Sequence, residues 1–238
     1  MENIISFLLF PLVLLASTFN ISMENINLKT KCSQVLVYPS LQNPLQKRCY
    51  DYNLRESKFV IFKLNKDTVN RTNIKKRPGF VQDKLVPKKY RISNTCFTHT
   101  GYDKAHQAFD QAFDYDWLVL KTTFILSNVL PERPITNRVT QRKIENIIMN
   151  IAKNNDVIVI VGGIFGNKRL KNLDRCPIIP KKIYEIIWVK DGDKYTFVKM
   201  YIMDNETGKI DKIIFNENKM KSFLFKQKIR FINSLSCS

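Results

Sequence analysis

Apolar positions along the chain recur in two different periods, and each period predicts an element. Gln34–Tyr38 and Lys58–Leu64 are short β-rich runs, the second ending near an Asn/Asp/Lys-rich turn. Residues 65–95 are polar and basic, with Pro78-Gly79 and Pro87 as breakers, and predict a long surface loop. Asp116–Asn128 predicts a helix leading into a short strand. Between Ile135 and Lys153 the residues Ile144, Ile147, Ile148 and Ile151 fall at helical spacing and predict one buried stripe. Asp156–Val161 is a continuous β-branched run that suits a central strand, with Gly162-Gly163 expected to end it. Ile183–Lys190 and Tyr195–Met203 flank Asp191-Gly192, which predicts a hairpin. Phe215–Ile232 predicts a helix with a basic polar face. Neither a repeat nor a linker divides this pattern. The expectation is one α+β domain over residues 28–238.

The N-terminus follows a third pattern. Residues 4–21 are almost wholly apolar and uncharged, and Lys and Arg are absent until Lys29. Residues 1–22 therefore predict a signal peptide or an N-terminal membrane anchor, with Ala16-Ser17-Thr18 as the best small-residue triplet for cleavage and Pro11 inside the run. Either reading exports the domain and makes it extracytoplasmic, whether secreted, periplasmic or anchored facing outward. No later segment is long and apolar enough to span a bilayer.

Composition narrows the classes further. Of 238 residues, 44% are hydrophobic, enough for a sizeable core and against wholesale disorder. Seven glycines and nine prolines exclude collagen-like and low-complexity chains. Lys and Arg number 39 against 21 Asp and Glu, a net +18, which points to a polyanionic partner, nucleic acid or an anionic membrane. The five cysteines, Cys32, Cys49, Cys96, Cys176 and Cys237, form no CxxC pair, which argues against structural zinc. Scattered cysteines in an exported domain suggest disulfides. The expected pairs are Cys32–Cys49 and Cys176–Cys237, with Cys96 left as a buried thiol.

The candidate chemistry centres on His106, one of only two histidines. It ends Gly101-Tyr102-Asp103-Lys104-Ala105-His106 and is followed by Phe109-Asp110 and Phe113-Asp114. Ser127-Asn128-Val129-Leu130-Pro131-Glu132 comes next, then Asn137-Arg138 nine residues after Asn128, and Glu145 eight residues beyond Asn137. This linked set resembles the active-site region of the DNA/RNA non-specific endonucleases. That family carries Asp-Arg-Gly-His, then Ser-Asn-x-x-Pro-Gln, then a second Asn and a Glu at the same two spacings. The similarity extends to Lys58–Leu64, to Arg77, Phe80 and Asp83, and to Val157–Gly163 with Ile179-Pro180-Lys181-Lys182 and Tyr184. It covers roughly residues 45–205.

The resemblance implies a ββα-metal (His-Me finger) nuclease fold, a central and mostly antiparallel sheet flanked by helices. It implies hydrolysis of phosphodiester bonds in DNA and RNA with His106 as general base, one magnesium or manganese ion on Asn137, and Glu145 acting on that ion through water. Asn128 would orient His106 or the phosphate. Arg77, Lys104 and Arg138 are the expected phosphate contacts, and Asp103 a support for the turn that aims His106. Lys75-Lys76-Arg77, Lys88-Lys89 with Arg91, Arg138 with Arg142-Lys143, and Lys168-Arg169 with Lys171 would line a groove for the backbone without reading sequence. The chain departs from the family at Lys104 for Arg, Ala105 for Gly and Glu132 for Gln. Ala105 would be strained if that position needs positive φ. These departures keep open a weak or inactive nucleic-acid-binding protein on the same fold. A cationic surface protein without a catalytic site is the third class. A homodimer and N-terminal membrane anchoring are also left open.

Overall fold

A computed structural model describes residues 17–42, 44–71 and 73–232. Its centre is a seven-stranded sheet in which every neighbouring pair runs antiparallel. The outer strands β1 (Ser17–Met23) and β2 (Ile26–Cys32) belong to a separate small sheet. The central sheet takes β3 (Gln34–Pro39), β4 (Pro44–Asp51) and β5 (Glu56–Leu64). A motif hairpin supplies β6 (Asp103–His106) and β7 (Val129–Glu132). The chain returns to the central sheet with β8 (Val157–Arg169), β9 (Ile178–Asp191), β10 (Lys194–Asp204) and β11 (Ile210–Ile214). The sheet order is β11-β10-β9-β8-β5-β4-β3.

The alternation along each central strand splits the core into two layers. Phe59 and Ile61 of β5, Ile158 and Ile160 of β8, and Tyr184, Ile186 and Trp188 of β9 face one side. There they meet Ile21, Met23, Ile26 and Leu28 of β1 and β2, together with Met220 and Leu224 of a C-terminal helix. Val60, Phe62 and Leu64, then Val157, Val159 and Val161, face the other side, against Phe109, Phe113, Ile144 and Ile148. Both faces are covered, so the run Val157–Val161 has no polar position to interrupt it. Each buried Ile or Phe contributes about 1.5–3 kcal/mol of transfer free energy.

Four helices pack around this frame: α1 (Lys66–Val69), α2 (Trp117–Thr123), α3 (Arg142–Ala152) and α4 (Glu217–Lys226). Asp116 caps α2 by accepting from the backbone N–H groups of Leu118 and Val119. α3 buries Ile144 and Ile148 as expected, but Ile147 is 39% exposed because the buried stripe is narrower than the apolar one.

Several expectations need correction. β8 runs through Gly162-Gly163 instead of ending there. Gly162 lies so close beneath Tyr184 that a Cβ would sit 2.3 Å from its hydroxyl oxygen, so the pair is needed for packing, not for a turn. The C-terminal segment is not one helix. α4 stops after Lys226, Lys228 adopts a left-handed φ of 61°, and Ile229–Phe231 forms β12 beside β2. The ordered domain begins before residue 28, because residues 17–21 of the apolar run lie in β1 and Ile21 is buried. Residues 1–16 lie outside the described residues.

Cys32 bonds Cys49, as expected. Cys176 bonds Cys96 and not Cys237, so Cys96 is no free thiol. The reason is proximity: Cys96 and Cys176 share a buried cluster with Phe97, Tyr102 and Leu170. Cys237 lies outside the described residues. The Cys96–Cys176 bridge spans 80 positions and ties the irregular chain before β6 to the start of β9. Replacing both with Ala should lower the unfolding free energy by about 2–5 kcal/mol in a denaturant titration. An unchanged midpoint would show that the long loop is held without the bridge.

Candidate active site

The motif hairpin fixes the first part of the site. Asp103 pairs in register with Glu132, Lys104 with Pro131, Ala105 with Leu130 and His106 with Val129. Ala105 is buried in ordinary extended backbone, so its place in the motif carries no strain. The hairpin is pinned to the central sheet by Gln107, whose amide donates to the carbonyls of Ser57 (3.3 Å) and Val161 (3.1 Å). Asn128 is wholly buried. Its amide donates to the carbonyls of Ala108 and Thr123, both at 2.9 Å, and its oxygen accepts from the Ala108 N–H at 3.0 Å. With those groups engaged, Asn128 sets the chain just beyond His106 and has no free face for a phosphate.

Ser127 is held with equal firmness from below. Buried Arg48 donates to Ser127 Oγ at 2.8 Å, to Gln46 Oε1 at 2.7 Å and to the Thr122 carbonyl at 2.6 Å. Ser127 Oγ in turn bonds Asp83, which also accepts from the Tyr38 hydroxyl at 2.6 Å. The cation and the carboxylate thus balance through one serine. Sequence reasoning missed Arg48, because nothing in a β-strand pattern marks a buried arginine.

His106 stacks on Phe80 at 5.1 Å between ring centroids and meets the edge of Phe124 at 4.7 Å. Its Nε2 is buried with no hydrogen-bond partner among the described residues, and the residue lines the cleft. Burial pulls the imidazole down to about 4; the Asp110 charge opposes this and the Arg48 and Arg77 charges add to it. The ring is therefore neutral and able to accept a proton throughout the physiological range. Gln141 donates to the His106 carbonyl at 3.1 Å and ties the motif strand to the start of α3.

Asn137 and Glu145 reach the same cleft through a change of helical register. Thr136–Gln141 form a π turn, marked by the Arg142 N–H bonding the Asn137 carbonyl five residues back. In a regular α-helix eight residues would place Glu145 about 80° from Asn137. A π turn absorbs one extra residue, which brings the two to within about 20°. His106, Asp110, Asn137, Arg138, Arg142 and Glu145 then line one cleft of about 290 Å³.

Asp103 organises one wall of that cleft. It accepts from Asn137 Nδ2 at 3.0 Å and takes Arg138 in a fork at 2.8 and 2.7 Å. Burial raises the Asp103 pKa, but the Arg138 and Asn137 donors outweigh it and leave the carboxyl below its usual range. Asp103 thus positions two side chains instead of merely supporting a turn. With its amide nitrogen committed, Asn137 has its oxygen left to act as a ligand.

The phosphate candidates fare differently. Arg138 lines the cleft with 67% of its side chain exposed. Lys104 stands on the His106 side of β6, over Phe80 at 4.8 Å, and donates to Asn94 Oδ1 at 3.0 Å. Arg77 is not a free phosphate ligand. Its guanidinium binds Asp110 and also Asp114 at 2.9 Å, so its charge is spent on the wall of the site. Arg142, expected to line a groove for the backbone, and Asp110, to which the sequence reading gave no role, both line the cleft.

Behind Glu145 lies a layer of buried acid. Glu132 on β7 and Glu185 on β9 are wholly buried, and none of their four carboxyl oxygens has a hydrogen-bond partner among the described residues. Burial, reinforced by Glu145 and Asp103, pushes Glu132 well above its usual range; burial with Glu145 and Glu132 does the same to Glu185. Glu145 itself is pushed up to about 7 by burial, with Arg142 at 3.5 Å pulling the other way. Among the described residues, no three His, Cys, Asp or Glu side chains form a metal-binding group. A single hard ion that keeps most of its waters needs only one or two protein oxygens, and Asn137 with Glu145 fits that demand.

The profile of the DNA/RNA non-specific endonucleases matches residues 24–234. The chain belongs to the DNA/RNA non-specific endonuclease family. A relative named Nuclease from Nostoc sp. is 24% identical over 144 residues, 60% of this chain and 52% of that protein. Human mitochondrial Endonuclease G is 25% identical over 118 residues, 49% of this chain and 40% of that protein. The matches thus span about half the length of these relatives, or less. The crystal structure of an EndoG/EndoGI complex has the same fold, with a TM-score of 0.65, 21% identity, and coverage of 79% of this chain and 82% of the other. The match makes the fold a ββα-metal one.

The departure at Glu132 gives a test. A carboxyl whose pKa rises on folding holds its proton more tightly in the folded state. Its contribution is full below the ordinary value of 4.5 and is lost as pH climbs towards the raised one. Glu132→Gln keeps the shape and removes the titration. Its stabilising effect on the thermal midpoint should be small near pH 4 and grow towards pH 8. A difference independent of pH would show that Glu132 has no raised pKa.

Proposed function

We propose that the protein is an exported, magnesium-dependent, sugar-non-specific endonuclease that hydrolyses phosphodiester bonds in DNA and RNA. The observation that carries this reading is the convergence of His106, Asn137 and Glu145 on one cleft edged by Arg138 and Arg142. His106 would take the proton of a water attacking phosphorus in line with the 3′ oxygen, leaving a 5′-phosphate. Its neutral ring needs no prior deprotonation, and the approach of an anionic phosphate raises its basicity. One magnesium or manganese ion, held by Asn137 directly and by Glu145 through water, would supply charge neutralisation at the phosphate and the leaving oxygen. Arg138 and Arg142 hold the backbone at the rim, and Lys104 offers a further charge beside the base. Asn128 and Gln141 act through position, by fixing the chain on either side of His106.

Export is supported by the apolar segment before Ser17 and by two disulfides, which persist in oxidising compartments. Cleavage after Thr18 of Ala16-Ser17-Thr18 would take only the first two residues of β1, leaving Phe19–Met23 paired with β2. No helix among the described residues is long and apolar enough to cross a membrane.

His106→Ala should lower turnover on plasmid DNA and on RNA by about 10²–10⁴ while binding without divalent cation is kept. A purified protein that cuts neither substrate, with His106→Ala binding equally well, would sink the enzyme reading. Asn137→Ala should raise the magnesium concentration needed for half-maximal rate, and an undiminished rate would sink the metal assignment. Glu145 must give up its proton to serve the ion and titrates at about 7, so half-saturation should need about tenfold more magnesium at pH 6 than at pH 8. His106, at about 4, is in its base form at both values and should not add to that change.

A further inference from the structure

A second polar pocket adjoins the catalytic cleft, and none of the residues assigned so far uses it. The two share a wall. Arg77 spans that wall, with Asp110 of the cleft on one side and Asp114 of the pocket on the other. Chain neighbours divide between them: Asp110 and Glu145 line the cleft, while Gln111 and Asn146 line the pocket. Its volume, about 450 Å³, lies within the range of small-ligand sites.

The lining has the chemistry of a base-reading site. Asn73 and Asn146 present exposed carboxamides, each with a donor and an acceptor side by side, as the edges of nucleobases have, and Gln111 adds a third amide whose oxygen is buried. Gln111 Oε1 is buried without a partner, and the side chains of Asn73 and Asn146 bond to no described residue. Met149 and Val69 add apolar surface on which a ring can rest. Arg71 forms no ion pair among the described residues, so a cation for a phosphate stands at the mouth. A buried amide oxygen with no donor costs free energy unless a ligand or water meets it.

We propose that this pocket is a subsite for the base of a nucleotide flanking the cut phosphodiester, with Gln111 and Asn146 reading its hydrogen-bonding edge. The inference rests on the nuclease reading and sharpens it, since cutting would then be indifferent to the sugar yet biased at one base position. The carboxamides do not touch the reacting atoms, so they act on where the enzyme cuts.

The test sequences the ends produced from a random-sequence DNA pool by the wild type, Gln111→Ala and Asn146→Ala. The wild type should favour one base about fivefold or more at a single fixed offset from the cut, the low end of what one bidentate contact gives. Each variant should flatten that bias. An unbiased wild type, or variants with the bias unchanged, would overturn the subsite. Capture of the same pool on immobilised protein in EDTA reads the pocket without turnover. Base enrichment there that the variants lose, in a protein that never cuts, would keep the subsite and sink the nuclease reading. Capture without enrichment overturns the subsite whatever the cutting activity.

Discussion

Asn128 is sealed under the motif hairpin with its amide protons and its oxygen given to main-chain groups, and the position of His106 depends on that arrangement. A buried carboxamide that loses one partner costs about 1–3 kcal/mol, so the backbone of Ala108 has little freedom to move. Ser127, one residue earlier, is locked by Arg48 and Asp83 in the same low-dielectric layer. His106 is therefore placed by buried polar groups that do not line the cleft. Phe80 and Phe124 then shape the imidazole's surroundings from the open side.

Electrostatics in the cleft follow from the same burial. His106 is pushed towards its neutral form and Glu145 towards its protonated form. Taking charge out of water explains both, since each group is displaced in the direction that removes its charge. The residues answer differently to what comes next. An anionic backbone favours a proton on His106, and a divalent ion favours its loss from Glu145. Burial thus biases both groups towards their uncharged forms.

Part of the candidate cleft was legible in the sequence, because His106 ends one hairpin strand while Asn137 and Glu145 lie at one helix start. Asn137 and Glu145 were found by counting, and the cleft contains both. The two-layer core was legible in Val157–Val161, although only the structure shows the second layer that covers it. Other features lay beyond pattern reading. Gly162 looks like a strand breaker in one dimension but is the place where Tyr184 crosses. Arg77 carries a charge that sequence alone offers to a phosphate, while Asp110 and Asp114 claim it through contacts 33 and 37 residues apart. Cys176 had two distant partners to choose from, and only the folded cluster around Phe97 selects Cys96. Residues Ile229–Phe231 read as helix by continuity, yet the edge of β2 was open to them.

The π turn at Thr136–Gln141 has a consequence for how this site tolerates insertion and deletion. The helix carries one residue more than its regular geometry needs, and that surplus rotates Glu145 towards Asn137. Removing one residue between them would let the segment relax into an unbroken α-helix, in which seven regular residues still keep Glu145 within about 20° of Asn137. Adding one residue in the same span, with the π turn kept, would instead turn Glu145 by about 100° away from Asn137. The cleft therefore tolerates a residue lost together with the π turn, but not a residue gained, because the helical phase between Asn137 and Glu145 is what brings them together.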